Sequence, residues 1–191
     1  MLPLPGQSDA AGTQLLIECD ERGEPTGSLV SRASAHTSPG VLHLAIALLL
    51  TRDGSLLLQH RRHRLFDDLW DVSGATHLIA SETGAESVAD AAHRCARDEW
   101  DVGVESFRQL GHIVYYADSA SGCEREYCLI VRGEIAGEVH PVESVSYGAR
   151  WIRNGDFQDL VRSGELQFSP WAEAIAEALP RDWDRMRGDG V

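Results

Sequence analysis

A chain of 191 residues is long enough for one well-packed domain and too short for two with full cores. Its 43% hydrophobic and 25% charged residues exclude a disordered or fibrous polymer. A formal net charge of -13 opposes nucleic-acid binding, which depends on Lys and Arg neutralising phosphates, but it leaves room for a small anion met by a few basic groups or a metal ion inside one pocket.

Cys19, Cys95, Cys123 and Cys128 form no CxxC pair and no dense framework, so reduced thiols are expected rather than a zinc ribbon or a disulfide scaffold. No apolar run reaches the length of a bilayer, and the start lacks the pattern of a signal peptide. A cytoplasmic location without membrane insertion is expected. Residues 1–14, rich in Pro, Gly and small polar side chains, read as a flexible tail, 15–185 as a single domain and 186–191 as a short C-terminal tail.

In chain order, Leu15 to Cys19 reads as a strand, Asp20 to Gly23 as a turn, and Thr26 to Val30 as the returning strand. Val41 to Thr51 is a nearly continuous apolar run. Asp53-Gly54 joins it to Ser55–Gln59 as an antiparallel hairpin. WDVSGAT is strand-like and leads to His77. Ala85 to Trp100 has helical periodicity, Phe107 to Tyr116 and Glu126 to Val131 read as strands, and Gly122 lies in the turn region between them. Gly155 to Ser163 and Pro170 to Leu179 read as helices, the second with Ser169 as cap and Pro170 in the first turn. Strands and helices do not alternate regularly, which predicts an α+β, sandwich-like fold.

Three groups of residues could carry chemistry. Glu124 and Glu126 stand at i and i+2 of a strand and share a face, and with His36, His43 and His77 they offer a donor set suited to a divalent metal. Taken singly, each histidine reads equally as a surface or core residue, and the glutamates as a solvated face. Arg61 and Arg64 belong to the basic stretch Gln59 to Arg64, which is either an anion site or a solvated loop balancing Asp67 and Asp68. Asp98 and Glu99 near a helix end could hold magnesium on a diphosphate or form a plain charged face. Trp171 reads as a core aromatic, although an indole face also stabilises a cation.

At these residues the chain resembles the type I isopentenyl-diphosphate isomerases, a branch of the Nudix fold. The segments ECDERGEPTGSLVSRASAHTSPGVLHLA, GCEREYCLIVRG and SGELQFSPW carry the likeness, which runs from about Leu15 to Trp183. It implies a Nudix-type mixed β-sheet sandwich flanked by helices. It also implies one divalent metal (Mn, Zn or Mg) on His36, His43, His77, Glu124 and Glu126, and magnesium on the substrate diphosphate, held with help from Glu99. Arg32, Arg61 and Arg64 would contact the diphosphate. Glu126 and Tyr115, with Tyr116 as the alternative, would act at the reacting carbon, and Trp171 would face the carbocation. The substrate would be a small isoprenoid or other diphosphate.

The chain departs from this pattern in two places. Where the isomerases carry a cysteine across the substrate from the metal-bound glutamate, this chain has Ala75 in Ser73-Gly74-Ala75-Thr76-His77, and alanine transfers no proton. The SGATH stretch is closer to isomerase-like Nudix hydrolases. The hydrolase signature is itself degenerate, with Thr76 for its first Gly, extra residues before Arg94, Cys95 for a Glu and Asp101 for its last Gly. Three functions are therefore carried forward. The first is an enzyme that protonates the alkene of a prenyl diphosphate, with isomerisation or an altered outcome such as cyclisation. The second is a Nudix hydrolase of a small diphosphate. The third is a non-catalytic protein that retains the pocket.

Overall fold

The computed structural model describes residues 14–81 and 84–185. The two expected tails lie outside the described residues apart from Gln14. Strands β1 (Leu15–Cys19) and β2 (Pro25–Ser31) form the expected antiparallel hairpin. Asp20 Oδ1 accepts the N–H groups of Arg22 and Glu24 at 2.8 and 3.0 Å and closes its turn. One helical turn, α1 (Arg32–Ala35), follows behind a Ser31 cap. Strands β3 (His43–Arg52) and β4 (Ser55–Arg61) meet at Asp53-Gly54, whose φ angles of 50° and 75° fit a two-residue hairpin turn.

Short strands β5 (Trp70–Asp71), β6 (Gly74–His77), β7 (Ala80–Ser81) and β8 (Gly84–Ala85) then lead to α2 (Val88–Trp100). Long strands β9 (Ser106–Ser119) and β10 (Gly122–Glu134) form a second hairpin, and β11 (Ser146–Arg153) precedes α3 (Phe157–Ser163) and α4 (Pro170–Ala178). Among the described residues no helix is long and apolar enough to cross a membrane.

Several boundaries differ from the sequence expectation for local reasons. The helix expected from Ala85 starts at Val88, because Ser87 Oγ caps it by accepting the Asp90 N–H at 3.1 Å and Ala85 is taken by β8. The helix expected from Gly155 starts at Phe157, after a 3-10 turn over Asn154–Asp156. WDVSGAT is two short strands broken at Val72-Ser73, and His77 is the last residue of the second rather than a follower. Strand β11 had no sequence counterpart: SYGARWIR lacks an alternating pattern, and pairing with β4 makes it a strand.

The apolar run of β3 is continuous because both of its faces are covered. Leu44, Ile46, Leu48 and Leu50 pack with Ala91 and Trp100 of α2. Ala45, Ala47 and Leu49 pack on the other face with Phe157 of α3 and Trp171 and Ile175 of α4. Helix α2 turns small residues to the sheet, Ala91, Ala92, Cys95 and Ala96, which lets it approach closely. The central strand is β3, parallel to β10 on one side and antiparallel to β6 on the other. The result is a mixed sheet between helices, as the fold class anticipated.

Strands β3 and β4 pair only at Thr51↔Leu56 and Arg52↔Ser55, then part. The side chain of Ser73 fills the opening: Leu50 N–H donates to Ser73 Oγ at 2.7 Å, and the hydroxyl donates to the Leu57 carbonyl at 2.7 Å. Trp100 Nε1–H donates to the Ser73 carbonyl, tying the same point to α2. Ser73→Ala removes a buried partner from two backbone groups at once, and should lower unfolding stability by roughly 2–4 kcal/mol in urea titration. A loss below about 0.5 kcal/mol would mean that Ser73 does not hold the split.

Candidate active site

Register brings the metal-type donors together. Glu126 of β10 is paired with His43 of β3, and His77 of β6 is paired with Ala45, so all three side chains rise on the face that α4 covers. The methyl group of Ala45 leaves space for His77 Nε2 to reach Glu126 Oε1 across β3, at 3.0 Å. His36 arrives from the end of α1. The β9–β10 turn packs beneath its backbone: Cys123 N–H donates to the His36 carbonyl at 3.0 Å, and a side chain on Gly122 would stand only 2.5 Å from that oxygen. Glycine is required there by space.

Among the described residues, one group of ligand-type side chains converges: His36, His43, His77 and Glu126 place ligand atoms within 4.8 Å of one another. Glu124 is not part of that group but adjoins it, with Oε2 2.9 Å from His36 Nε2. The Nδ1 atoms of His36 and His43 each lie 2.7 Å from a backbone carbonyl, of Arg32 and Val41. A carbonyl only accepts, so Nδ1 carries hydrogen in both rings and Nε2 presents a lone pair inward. Yet His36 Nε2 is 3.1 Å from His77 Nε2, and the buried His43 Nε2 makes no hydrogen bond, its nearest carboxylate oxygen being 3.7 Å away. Lone pairs and carboxylate oxygens crowded in this way lack the protons to satisfy one another. The donor set fits a divalent metal ion.

The electrostatics favour the deprotonated ligand forms of His77 and Glu126 and the protonated forms of His36 and Glu124. Burial drives the pKa of His77 down to about 3 against the pull of Glu126. Burial alone would raise Glu126, but His43 and His77 beside it hold it well below the usual carboxylate range, whereas burial and the Glu126 charge raise Glu124. Burial would lower His36, and the adjacent Glu124 carboxylate outweighs it and raises it.

The second oxygen of Glu126 accepts the Tyr115 hydroxyl at 2.6 Å. Burial, with Glu126 and Glu124 nearby, keeps that phenol protonated by pushing its pKa well above the ordinary value. Tyr116 is half exposed on the opposite face of β9. The Tyr115 ring lies 5.9 Å from the Trp171 ring, and the Arg61 guanidinium carbon lies 4.6 Å from the Trp171 centroid. Arg32 is half-buried; burial lowers its pKa while the nearby Glu124 and Glu126 charges raise it and the Arg94 and Arg61 charges lower it, and the balance is a lowering. Arg64 is exposed, and Asp98 is exposed and paired with Arg97.

Glu99 occupies the opposite face of the sheet. It is buried on α2, accepts the Gln59 amide at 2.7 Å and lies against β6 at Gly74, where a side chain would stand 3.0 Å from its Oε2. Burial raises its pKa from 4.5 to about 7. Asp71 had no place in the sequence reading. Its carboxylate is fully buried and is met by Arg61, Trp171, Ser169 and the Val72 N–H. Burial, only partly offset by Arg61, Ser169 and Val72, raises the pKa of this carboxyl. Since these four neighbours all donate, the group acts as the acceptor-only carboxylate. Its main partners lie 10, 98 and 100 residues away, a separation that sequence spacing does not reveal.

Two outcomes follow. Elemental analysis should find one divalent metal per wild-type chain and a large loss in His77→Ala; equal content in both, or none, would refute the site. For Glu99, folding raises the pKa, so the stability it contributes is whole below about pH 4.5 and is lost as pH rises through about 7. In chelator-treated protein the wild type should lose up to about 3 kcal/mol across that window relative to Glu99→Gln, read by urea titration. Parallel pH profiles would refute the shift.

No family model matches the chain. It is 28% identical over 185 residues to an isopentenyl-diphosphate Delta-isomerase of Haloarcula marismortui, covering 90% of this chain and 91% of that one. It is 29% identical over 163 residues to a protein of the same name from Nocardia farcinica, with 83% and 90% covered. In structure it matches the DR0079 protein of Deinococcus radiodurans with a TM-score of 0.63 at 18% identity, over 87% of this chain and 99% of the other. It matches a MutT Nudix hydrolase of Burkholderia pseudomallei with a TM-score of 0.57 at 16% identity, over 73% and 98%. The chain has the α+β fold of the Nudix hydrolases, and over most of its length its sequence is similar to isopentenyl-diphosphate isomerases.

Proposed function

We propose that this protein is a metal-dependent enzyme that protonates the alkene of a prenyl diphosphate or a related small isoprenoid. The observation that carries the reading is the Tyr115–Glu126 pair: a protonated hydroxyl held at 2.6 Å on a carboxylate whose other oxygen faces His77. A proton relay of this kind, beside a buried indole, suits the transfer of a proton to carbon followed by stabilisation of the resulting cation. The sequence similarity to proteins named isopentenyl-diphosphate Delta-isomerase supports the substrate class.

In this scheme His36, His43, His77 and Glu126, with Glu124 alongside, would hold the divalent ion. When bound, that ion supplies positive charge that makes a neighbouring acid stronger. The Tyr115 hydroxyl proton would pass by way of Glu126 to the terminal alkene carbon, leaving a phenolate; the alkene π electrons form the new C–H bond, and the positive charge is left on the adjacent tertiary carbon beside Trp171. Arg32 and Arg61, with the exposed Arg64 at the rim, would meet the diphosphate; Glu99, on the other face of the sheet but close enough for the Arg61 charge to lower its pKa, would help to retain magnesium on it.

Ala75 stands on the same face of β6 as His77, two residues earlier. Its methyl group accepts no proton. The cation would then lose a proton to another base, which can still complete an isomerisation, or take up water, or close a ring.

A hydrolase is the second reading, favoured by the buried Glu99 on the helix that carries the degenerate hydrolase signature. Against it, Cys95 occupies a carboxylate position of that signature and Asp98 faces solvent on an ion pair with Arg97. Hydrolases gather several carboxylates there to hold water-activating ions.

Incubation with isopentenyl and dimethylallyl diphosphates in deuterated water separates the readings. Deuterium should enter carbon without phosphate release, and Tyr115→Phe, which keeps every metal donor, should slow uptake at least about 100-fold at unchanged metal content. Phosphate release without carbon-bound deuterium would establish the hydrolase instead, and neither event would leave a binding protein.

A further inference from the structure

Asp71 of β5 takes no part in the chemistry above, yet it is fully buried and both of its oxygens are engaged by residues beside it. Its Oδ1 accepts the Val72 N–H at 2.7 Å and the Ser169 hydroxyl at 3.0 Å. Its Oδ2 accepts Arg61 Nη1–H at 2.8 Å and Trp171 Nε1–H at 2.9 Å. One oxygen thus fixes both the indole and the guanidinium, and the other fixes Ser169, whose hydroxyl also accepts the Ala172 N–H at 3.2 Å as the cap of α4. Trp171 rides on the first turn of that helix.

The Arg61 guanidinium carbon is 4.6 Å from the Trp171 centroid. A guanidinium at that distance draws on the same ring quadrupole that a substrate cation would use. Two cations at one buried ring also repel each other strongly, because little solvent screens them. An arginine placed there would defeat cation stabilisation unless its charge were cancelled at close range.

We propose that Asp71 is a positioning residue that holds Trp171 and Arg61 together and cancels the arginine's charge at the ring, leaving the indole able to stabilise a substrate cation. The inference rests on the reading that a cation forms beside Trp171. It assigns Asp71 an electrostatic effect with a sign: removing its charge should weaken cation binding at the indole and strengthen anion binding at Arg61. A purely architectural role would weaken both.

The test uses three ligands, in magnesium buffer and by calorimetry: dimethylaminoethyl diphosphate, its neutral isostere isopentyl diphosphate, and inorganic pyrophosphate. Wild type should prefer the ammonium ligand to the isostere. In Asp71→Asn that preference should fall about tenfold, the scale of one desolvated cation–π contact, while pyrophosphate affinity rises. In Asp71→Asn combined with Arg61→Gln the ring is again free of net charge, so the preference should return while pyrophosphate affinity falls. Equal weakening of all three ligands in the single variant, or a preference that stays lost in the double variant, would overturn the proposal. If the single variant does not fold, the preference of the double variant decides alone. A wild type without preference for the ammonium ligand would sink the cation reading itself, whereas pyrophosphate affinity that rises in Asp71→Asn would still support charge cancellation at Arg61.

Discussion

The parting of β3 from β4, and the serine hydroxyl set in the gap, is the constraint on which the rest of the molecule depends. An ordinary hairpin would keep pairing beyond Thr51 and Leu56, and no strand could then insert beside β3. Because Ser73 satisfies the Leu50 N–H and the Leu57 carbonyl, the two strands separate without leaving buried polar groups unpaired. The space opened admits β6 against β3 and β5 against β4, and these short strands bring in His77 and Asp71. Metal-type donors and the aromatic wall thus depend on one side chain filling two backbone valences.

Legibility in the sequence followed the range of the interactions concerned. Periodicity located α2, the Ser169 cap and Pro170 located α4, and Asp-Gly located the β3–β4 turn, since these are set by residues within a few positions of one another. The histidines and the glutamate pair could be grouped from their chemistry and from a family resemblance; the register of β3, β6 and β10 brings His43, His77 and Glu126 together, His36 joins them from the end of α1, and Glu124 adjoins. The roles of Asp71, Gln59 and Ser73 were not legible because their partners are remote in sequence, and β11 was not because pairing with β4 rather than its own pattern makes it a strand. Asp101, where hydrolases carry glycine, was read only as a departure; it adopts the left-handed conformation at the end of α2, which aspartate tolerates at modest cost.

The basic stretch also divides in a way its composition could not predict. Arg61 turns inward onto Asp71 and Trp171, while Arg64 stays in solvent. Arg61 is the last residue of β4, whereas Arg64 lies beyond the strand end, and position alone sets which charge is desolvated. His63, in the same stretch, is depressed to about 3 by burial and by Arg61 and Arg32, so it adds no charge to this region at neutral pH. The local field around Arg61 is therefore set by specific pairings rather than by a count of basic residues.

The four converging donors do not belong to equally self-sufficient elements. His43, His77 and Glu126 stand on the central sheet, where both neighbouring strands and two packed layers fix them. His36 ends a helix of four residues, far too short to persist by itself, and is kept in place by its cap and by the β9–β10 turn beneath its carbonyl. Three donors form a rigid anvil and the fourth closes onto it like a latch. An ion on such a center would be gripped or released by the opening of one short segment, and its exchange rate would be a local unfolding rate, largely decoupled from the stability of the sheet.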